Sequence, residues 1–260
     1  MELNYKEQGS GIPVIVIHGL FGSLDNWQII SKQLAQSGYR VISLDLRNHG
    51  KSDHSKDFSF ELMAEDIIEM INVLDLKNPI LLGHSMGGKV AIKTAIKYTE
   101  ILSGIIVVDI APRYYPPHHS VELDAMKNIP LENISSRNQA VEFMSRTIKN
   151  DSIVQFLLKN LQRTDEGFKW KINLEVLEDK IENIGEEISS ESKITTPALF
   201  IKGEKSNYIG KSDDNHIKKI FDKVQIITCK DASHWVHADN PECLISNSLK
   251  FLNQVTDLTH

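Results

Sequence analysis

A chain of 260 residues with 41% hydrophobic and 25% charged residues has the make-up of a soluble globular protein and is long enough to bury a large core. Its net charge of −6 argues against a nucleic-acid partner, which needs a basic face, and no apolar run approaches the length of a stable membrane insertion. The N-terminal residues lack the apolar stretch of a secretory signal. The two cysteines, Cys229 and Cys243, suit a reducing compartment as small buried apolar residues, so the expected location is cytoplasmic.

Residues 3–8 read as a short edge strand that ends in the turn Gly9-Ser10-Gly11. After Pro13, the β-branched run Val14-Ile15-Val16-Ile17 predicts a strand buried on both faces, as in a parallel sheet. It leads into the loop His18-Gly19-Leu20-Phe21-Gly22-Ser23. Residues 24–37 read as a helix with Trp27, Ile30, Leu34 and Ala35 on one face, stopped by Gly38. A strand over 40–45, a polar loop over 46–52 and a helix over 60–74 follow. Ile80-Leu81-Leu82 is a short buried strand, and Gly83-His84-Ser85-Met86-Gly87 is a G-x-S-x-G nucleophile elbow leading into a helix over 89–96. The strand Gly104-Ile105-Ile106-Val107-Val108 ends in the carboxylate of Asp109. Strands alternating with helices predict an α/β architecture with a mostly parallel central sheet flanked by helices.

The pattern then changes. Residues 111–193 contain no convincing buried strand, while 140–147, 153–161 and 174–184 read as amphipathic helices. Pro112, Pro116, Pro117 and Pro130 punctuate its start. The segment is too long for a single crossover, which predicts a helical cap over the active end of the sheet. The expected organisation is a core of 1–111 and 194–260 interrupted by a cap of 112–193. The second core segment carries a strand over 197–203, a helix over 214–221 and a strand over 224–228. A loop over 232–237 follows, and then a terminal helix from Pro241.

A serine hydroxyl needs a base to take its proton, and an imidazole suits that task near neutral pH. His234, directly after the last predicted strand, can reach the same sheet edge as Ser85. His237 reads as structural, His18 and His49 as hydrogen-bonding supports, and His84 as a residue that packs and orients the elbow. His118 and His119 lie at the entrance to the cap, His216 in a polar helix, and His54 and His260 have no special context. The imidazole in turn needs an anion. Asp109 and Glu204, each after a predicted strand, are the main candidates, with Asp45 and Asp231 behind them. An oxyanion hole needs two converging amides. Met86 N, after the nucleophile, and Leu20 N, in the His18-Gly19 loop, fill that pattern, with Phe21 as second choice for the latter. No phosphate-binding glycine loop and no metal-spaced cluster is present, so no cofactor and no metal are expected.

Five blocks carry a resemblance. They are 18–23, Asp45-Leu46-Arg47-Asn48-His49-Gly50-Lys51-Ser52, Gly83-His84-Ser85-Met86-Gly87-Gly88-Lys89, Val108-Asp109-Ile110-Ala111-Pro112 and His234-Trp235-Val236-His237. In this order they resemble the α/β-hydrolase family, more narrowly the YbfF-type bacterial esterases and their abhydrolase-domain relatives. The resemblance implies a serine hydrolase that cleaves carboxylic esters, extending to acyl thioesters, through an acyl-enzyme with Ser85, His234 and Asp109 as the triad. Many family members place the acid after the strand that here ends at Gly203, where this chain has Gly203-Glu204 and no aspartate; in the similar esterases the acid follows the strand after the elbow, which matches Asp109. The partner is then a small-molecule ester or acyl thioester. Met126, Phe143, Met144, Phe156 and Leu157 either line an acyl site or form cap core. The alternatives are other chemistry on the same fold, such as C–C bond hydrolysis or haloperoxidase-like activity, and a non-hydrolytic small-molecule receptor. The sequence assigns neither an acyl chain length nor an oligomeric state.

Overall fold

The computed structural model describes residues 1–257; His260 and the last residues of the expected second core segment lie outside them. The first part of the chain alternates between strand and helix: β1 (Tyr5–Gln8), β2 (Ile12–Ile17), α1 (Gln28–Gln36), β3 (Tyr39–Leu44), α2 (Phe60–Val73), β4 (Ile80–His84), α3 (Met86–Lys97) and β5 (Gly104–Val108). A helical segment follows: α4 (Ser120–Lys127), α5 (Arg137–Ser145), α6 (Asp151–Leu158), a hairpin of β6 (Leu161–Thr164) and β7 (Gly167–Trp170), α7 (Leu174–Asp179) and α8 (Ile181–Gly185). Then come β8 (Ala198–Gly203), α9 (Asp213–Ile220), β9 (Val224–Cys229), α10 (Val236–Asp239) and α11 (Pro241–Asp257).

Seven strands form one sheet in the order β1-β3-β2-β4-β5-β8-β9. β1 runs antiparallel at the edge and all other pairs are parallel. The β-branched runs explain the layering, because successive side chains point to opposite faces. Ile15, Ile17, Leu81, Ile105, Val107 and Phe200 face the core under α2 and α3. Val14, Val16, Ile80, Leu82, Ile106, Leu199 and Ile201 face the opposite core, which Ile30 and Leu34 of α1 and Leu244, Phe251 and Leu252 of α11 close. Parallel pairing brings the carboxyl ends of β4, β5, β8 and β9 to one edge, and ligands bind in the crevice outside such ends.

Local chemistry shifts several boundaries. The helix expected over 24–37 opens with a 3-10 turn at Leu24–Trp27, set by a capping box in which Ser23 N donates to Asn26 Oδ1 at 2.8 Å. The helix expected over 174–184 breaks into two at Lys180, whose backbone (φ −108°, ψ 19°) leaves the helical region. The hydrophobic pattern does not announce the hairpin of β6 and β7 or the helix α4. Only Leu161 of the hairpin strands is buried, so they leave no buried apolar run to read.

The cysteines correct an expectation: Cys229 and Cys243 form a disulfide, with Cα atoms 5.8 Å apart. The folding of α11 against β9 brings the two together across 14 residues of chain, a proximity that spacing alone does not reveal. Among the described residues there is no free cysteine, so the argument from free thiols to a reducing compartment falls away. Closing a loop of this length contributes about 3 kcal/mol in the chain-entropy picture. We expect dithiothreitol, or Cys243→Ser, to lower the urea midpoint accordingly; superimposable melts with and without reductant would show that the cross-link adds nothing. The closed loop carries His234.

Candidate active site

The elbow is built by close backbone packing. Ser85 sits between β4 and α3 with φ +51° and ψ −118°, a conformation that L residues rarely adopt. A Cβ on Gly83 would stand 2.1 Å from Gly87 O, and one on Gly87 would stand 2.5 Å from the carbonyl oxygens of Ile17 and His18. Both positions therefore exclude any side chain, and this is the physical content of the two glycines in the motif. The turn leaves Ser85 partly exposed while every residue of β4 before it is buried.

Asp109 follows β5 directly and also has positive φ, +52°. It is fully buried. Its Oδ1 accepts from Gly203 N at 2.9 Å, and its Oδ2 accepts from Ser206 Oγ and lies 2.8 Å from His234 Nδ1. With the carboxylate ionised, His234 Nδ1 is the donor and Nε2 is left as the basic nitrogen. Glu204, the competing carboxylate, is exposed and accepts instead from Asp231 N at 2.9 Å. Asp231 pairs with Lys205 at 3.0 Å. Asp45 is a structural acceptor, taking bonds from Leu24 N at 2.8 Å and Asn4 Nδ2 at 2.7 Å.

Tyr208 stacks on His234 with ring centroids 3.7 Å apart, and its hydroxyl lies 2.6 Å from His118 Nε2. Triad logic asks only for a carboxylate in the Gly203–Tyr208 turn, so it passes over Ser206 and Tyr208. Their position immediately after a central parallel strand was the available signal. Loop 18–23 is fastened from the helical segment by Asn160, whose Nδ2 donates to Phe21 O at 2.8 Å. Phe21 adopts φ +59°, which turns the chain at the Leu20–Phe21 step. Met86 N is the first amide of α3, where a helix leaves its donors without intrahelical acceptors.

The other histidines divide as supports and lining. His18 is buried; its Nε2 accepts from Leu46 N at 2.9 Å and its Nδ1 lies 2.8 Å from Gly19 O. Burial lowers its pKa, and burial likewise pushes His49 down to about 3 and His237 down to about 4. These rings stay neutral near neutral pH. His84 Nε2 lies 2.9 Å from His234 O, tying the His234 loop to the elbow, and burial holds its pKa well below the usual value. His237 stacks on Trp27 at 4.8 Å, and His216 lies 3.4 Å from Glu187. His118 and His119 reach the site itself. They line a chamber of about 210 Å³ together with Ser85, His234, Leu20, Phe156 and Trp235. Phe156 and Leu157 face this chamber, whereas Met126 and Met144 are fully buried in the core.

The loop of residues 46–52 is a brace. Arg47 forms a buried two-pronged pair with Asp66 of α2, at 2.6 and 2.7 Å. Asn48 receives Asn173 N at 3.0 Å and Asn173 Nδ2 at 3.1 Å, which fastens the helical segment to the sheet side.

A model of the α/β hydrolase fold family matches residues 12–141. Together with the relatives below, that match places the chain in the α/β-hydrolase family. The sn-1-specific diacylglycerol lipase ABHD11 of Danio rerio is 35% identical over 255 residues, covering 95% of this chain and 80% of the relative. Esterase YbfF of Escherichia coli (strain K12) is 29% identical over 261 residues, covering 97% of this chain and all of the relative. A solved marine microorganism esterase has a TM-score of 0.93 and 39% identity, covering 96% of this chain and 99% of the other.

Proposed function

We propose that this protein is a carboxylic ester hydrolase, acting also on acyl thioesters, that works through an acyl-enzyme on Ser85. The observation that carries the reading is the His234 imidazole, held by the buried Asp109 and facing the same chamber as Ser85. His234 Nε2 takes the Ser85 proton as Oγ attacks the carbonyl carbon. The amides of Met86 and Leu20 receive the oxyanion, and the N-terminal end of α3 adds its favourable field. His234 then protonates the leaving alcohol or thiol, and the leaving group departs. Water, activated by the same nitrogen, attacks the acyl carbon; Ser85 is regenerated and the acid released. Asp109 keeps the ring in one tautomer throughout. Residues 112–193 act as the cap: His118, His119, Ile153 and Phe156 close the chamber from above. Among the described residues no helix is long and apolar enough to cross a membrane. The named esterases among the relatives and solved structures support the same chemistry.

A panel of short- and long-chain aryl esters and acyl thioesters tests the reading by product release. Steady turnover is expected. Binding of such molecules without turnover would make the chain a receptor, and turnover confined to vinylogous diketones would make it a C–C bond hydrolase.

A further inference from the structure

The chamber that holds Ser85 and His234, about 210 Å³ in volume, has a larger neighbour. A groove of about 610 Å³ is lined by residues 25–30, by α6 and its flanks, and by residues 233–239. The two spaces share three lining residues, Ile153, Phe156 and Trp235. Along α6 the division can be followed residue by residue. Leu157 lines the chamber and not the groove, Ser152 and Gln155 line the groove and not the chamber, and Ile153 and Phe156 line both. Ile153 and Phe156 stand at i and i+3 on the helix and so share a face. The loop over 232–237 divides in the same way. His234 lines the chamber, Ser233 and His237 line the groove, and Trp235 lines both. The side chains common to the two spaces form the wall between them.

One aromatic pair makes up most of that wall. The rings of Phe156 and Trp235 meet edge to face, with centroids 4.5 Å apart. This arrangement is favourable beyond the burial of the rings and holds the two side chains together across the gap between α6 and the His234 loop. Both residues are half-buried, and the Trp235 ring lies 5.9 Å from the His234 ring. Beyond the wall the groove offers further apolar surface from Ile29 and Ile30 of α1.

Resting on the ester-hydrolysis reading, we propose that Phe156, braced by Trp235, is a specificity-determining residue that sets the chain length of one arm of the ester. The arm that runs to the wall ends there, so lengthening it adds no burial. Removing the Phe156 ring joins the chamber to the groove. Each methylene that then enters the groove leaves water and gains the free energy of burial.

Four esters test this by acid release. Ethyl butyrate and ethyl octanoate lengthen the acyl arm; butyl acetate and octyl acetate lengthen the alcohol arm. The two short esters are isomers, as are the two long ones, so overall hydrophobicity does not separate the arms. In F156A the long-to-short ratio of kcat/KM is expected to rise about tenfold over wild type in one series, the worth of two newly buried methylenes. In the other series the ratio is expected to stay as in wild type. The series that rises identifies the arm that meets the wall. Should F156A fail to fold, I153A removes the other α6 side chain common to both spaces and is expected to raise the same kind of ratio. Ratios that stay level, fall, or rise equally in both series overturn the partition and leave the hydrolase intact. No wild-type turnover of any of the four esters removes the hydrolase reading and this inference with it.

Discussion

Ser85→Ala is expected to lower kcat for a short-chain ester by about 10⁴- to 10⁶-fold, since the nucleophile and its base act as one unit. The residual rate comes from the oxyanion amides and from substrate positioning, neither of which depends on the Ser85 hydroxyl. The backbone strain at this position (φ +51°) belongs to the turn between β4 and α3 and is unchanged by alanine. The thermal midpoint should therefore move little, which separates lost chemistry from lost folding. Steady-state turnover alongside a thermal melt reads both. A variant that keeps wild-type turnover would mean that the nucleophile lies elsewhere in the chain.

Asp109→Asn is the second large effect, expected at about 10⁴-fold in kcat. Asp109 Oδ2 receives Ser206 Oγ and faces His234 Nδ1, while Oδ1 receives Gly203 N. These are donors, so a carboxylate satisfies all of them and a carboxamide cannot. An asparagine NH₂ turned toward His234 would oppose the Nδ1–H and favour the tautomer whose Nε2 is already protonated, which removes the base. Glu204→Gln should stay within about twofold, as expected for a surface substitution away from the site, because Glu204 is exposed and bonds Asp231 N. Measuring both variants on one ester makes the comparison internal. If Glu204→Gln lost more than Asp109→Asn, the acid would have to be moved to the turn after β8.

Much of this arrangement was legible before any coordinates. The strands Val14-Ile15-Val16-Ile17 and Ile80-Leu81-Leu82 announced themselves through continuous β-branched or apolar runs, which sheets buried on both faces require. The expected fold class holds, and the family match bears out the resemblance. The small errors lie where the hydrophobic pattern does not report the backbone. In the hairpin of β6 and β7 only Leu161 is buried, so no apolar run marks its strands, and the helix over 174–184 is apolar enough to read as continuous across Lys180 although its backbone breaks there.

What the sequence determined by itself was local and periodic: the strands, the elbow around Ser85, and the positions of Asp109 and His234 at loop starts. Such features are set within a few residues, by side-chain alternation and by glycines at crowded turns. Tertiary structure decided which distant groups meet. It chose Asp109 over Glu204 as the neighbour of His234, laid Tyr208 on that ring and joined Cys229 to Cys243. It also carried the buried ammonium of Lys89 to the carbonyl oxygens of Gly185 and Glu186, almost a hundred residues away. The sheet order and the packing of the helical segment set these pairings, and no spacing along the chain encodes the distance between two loops at the end of a parallel sheet.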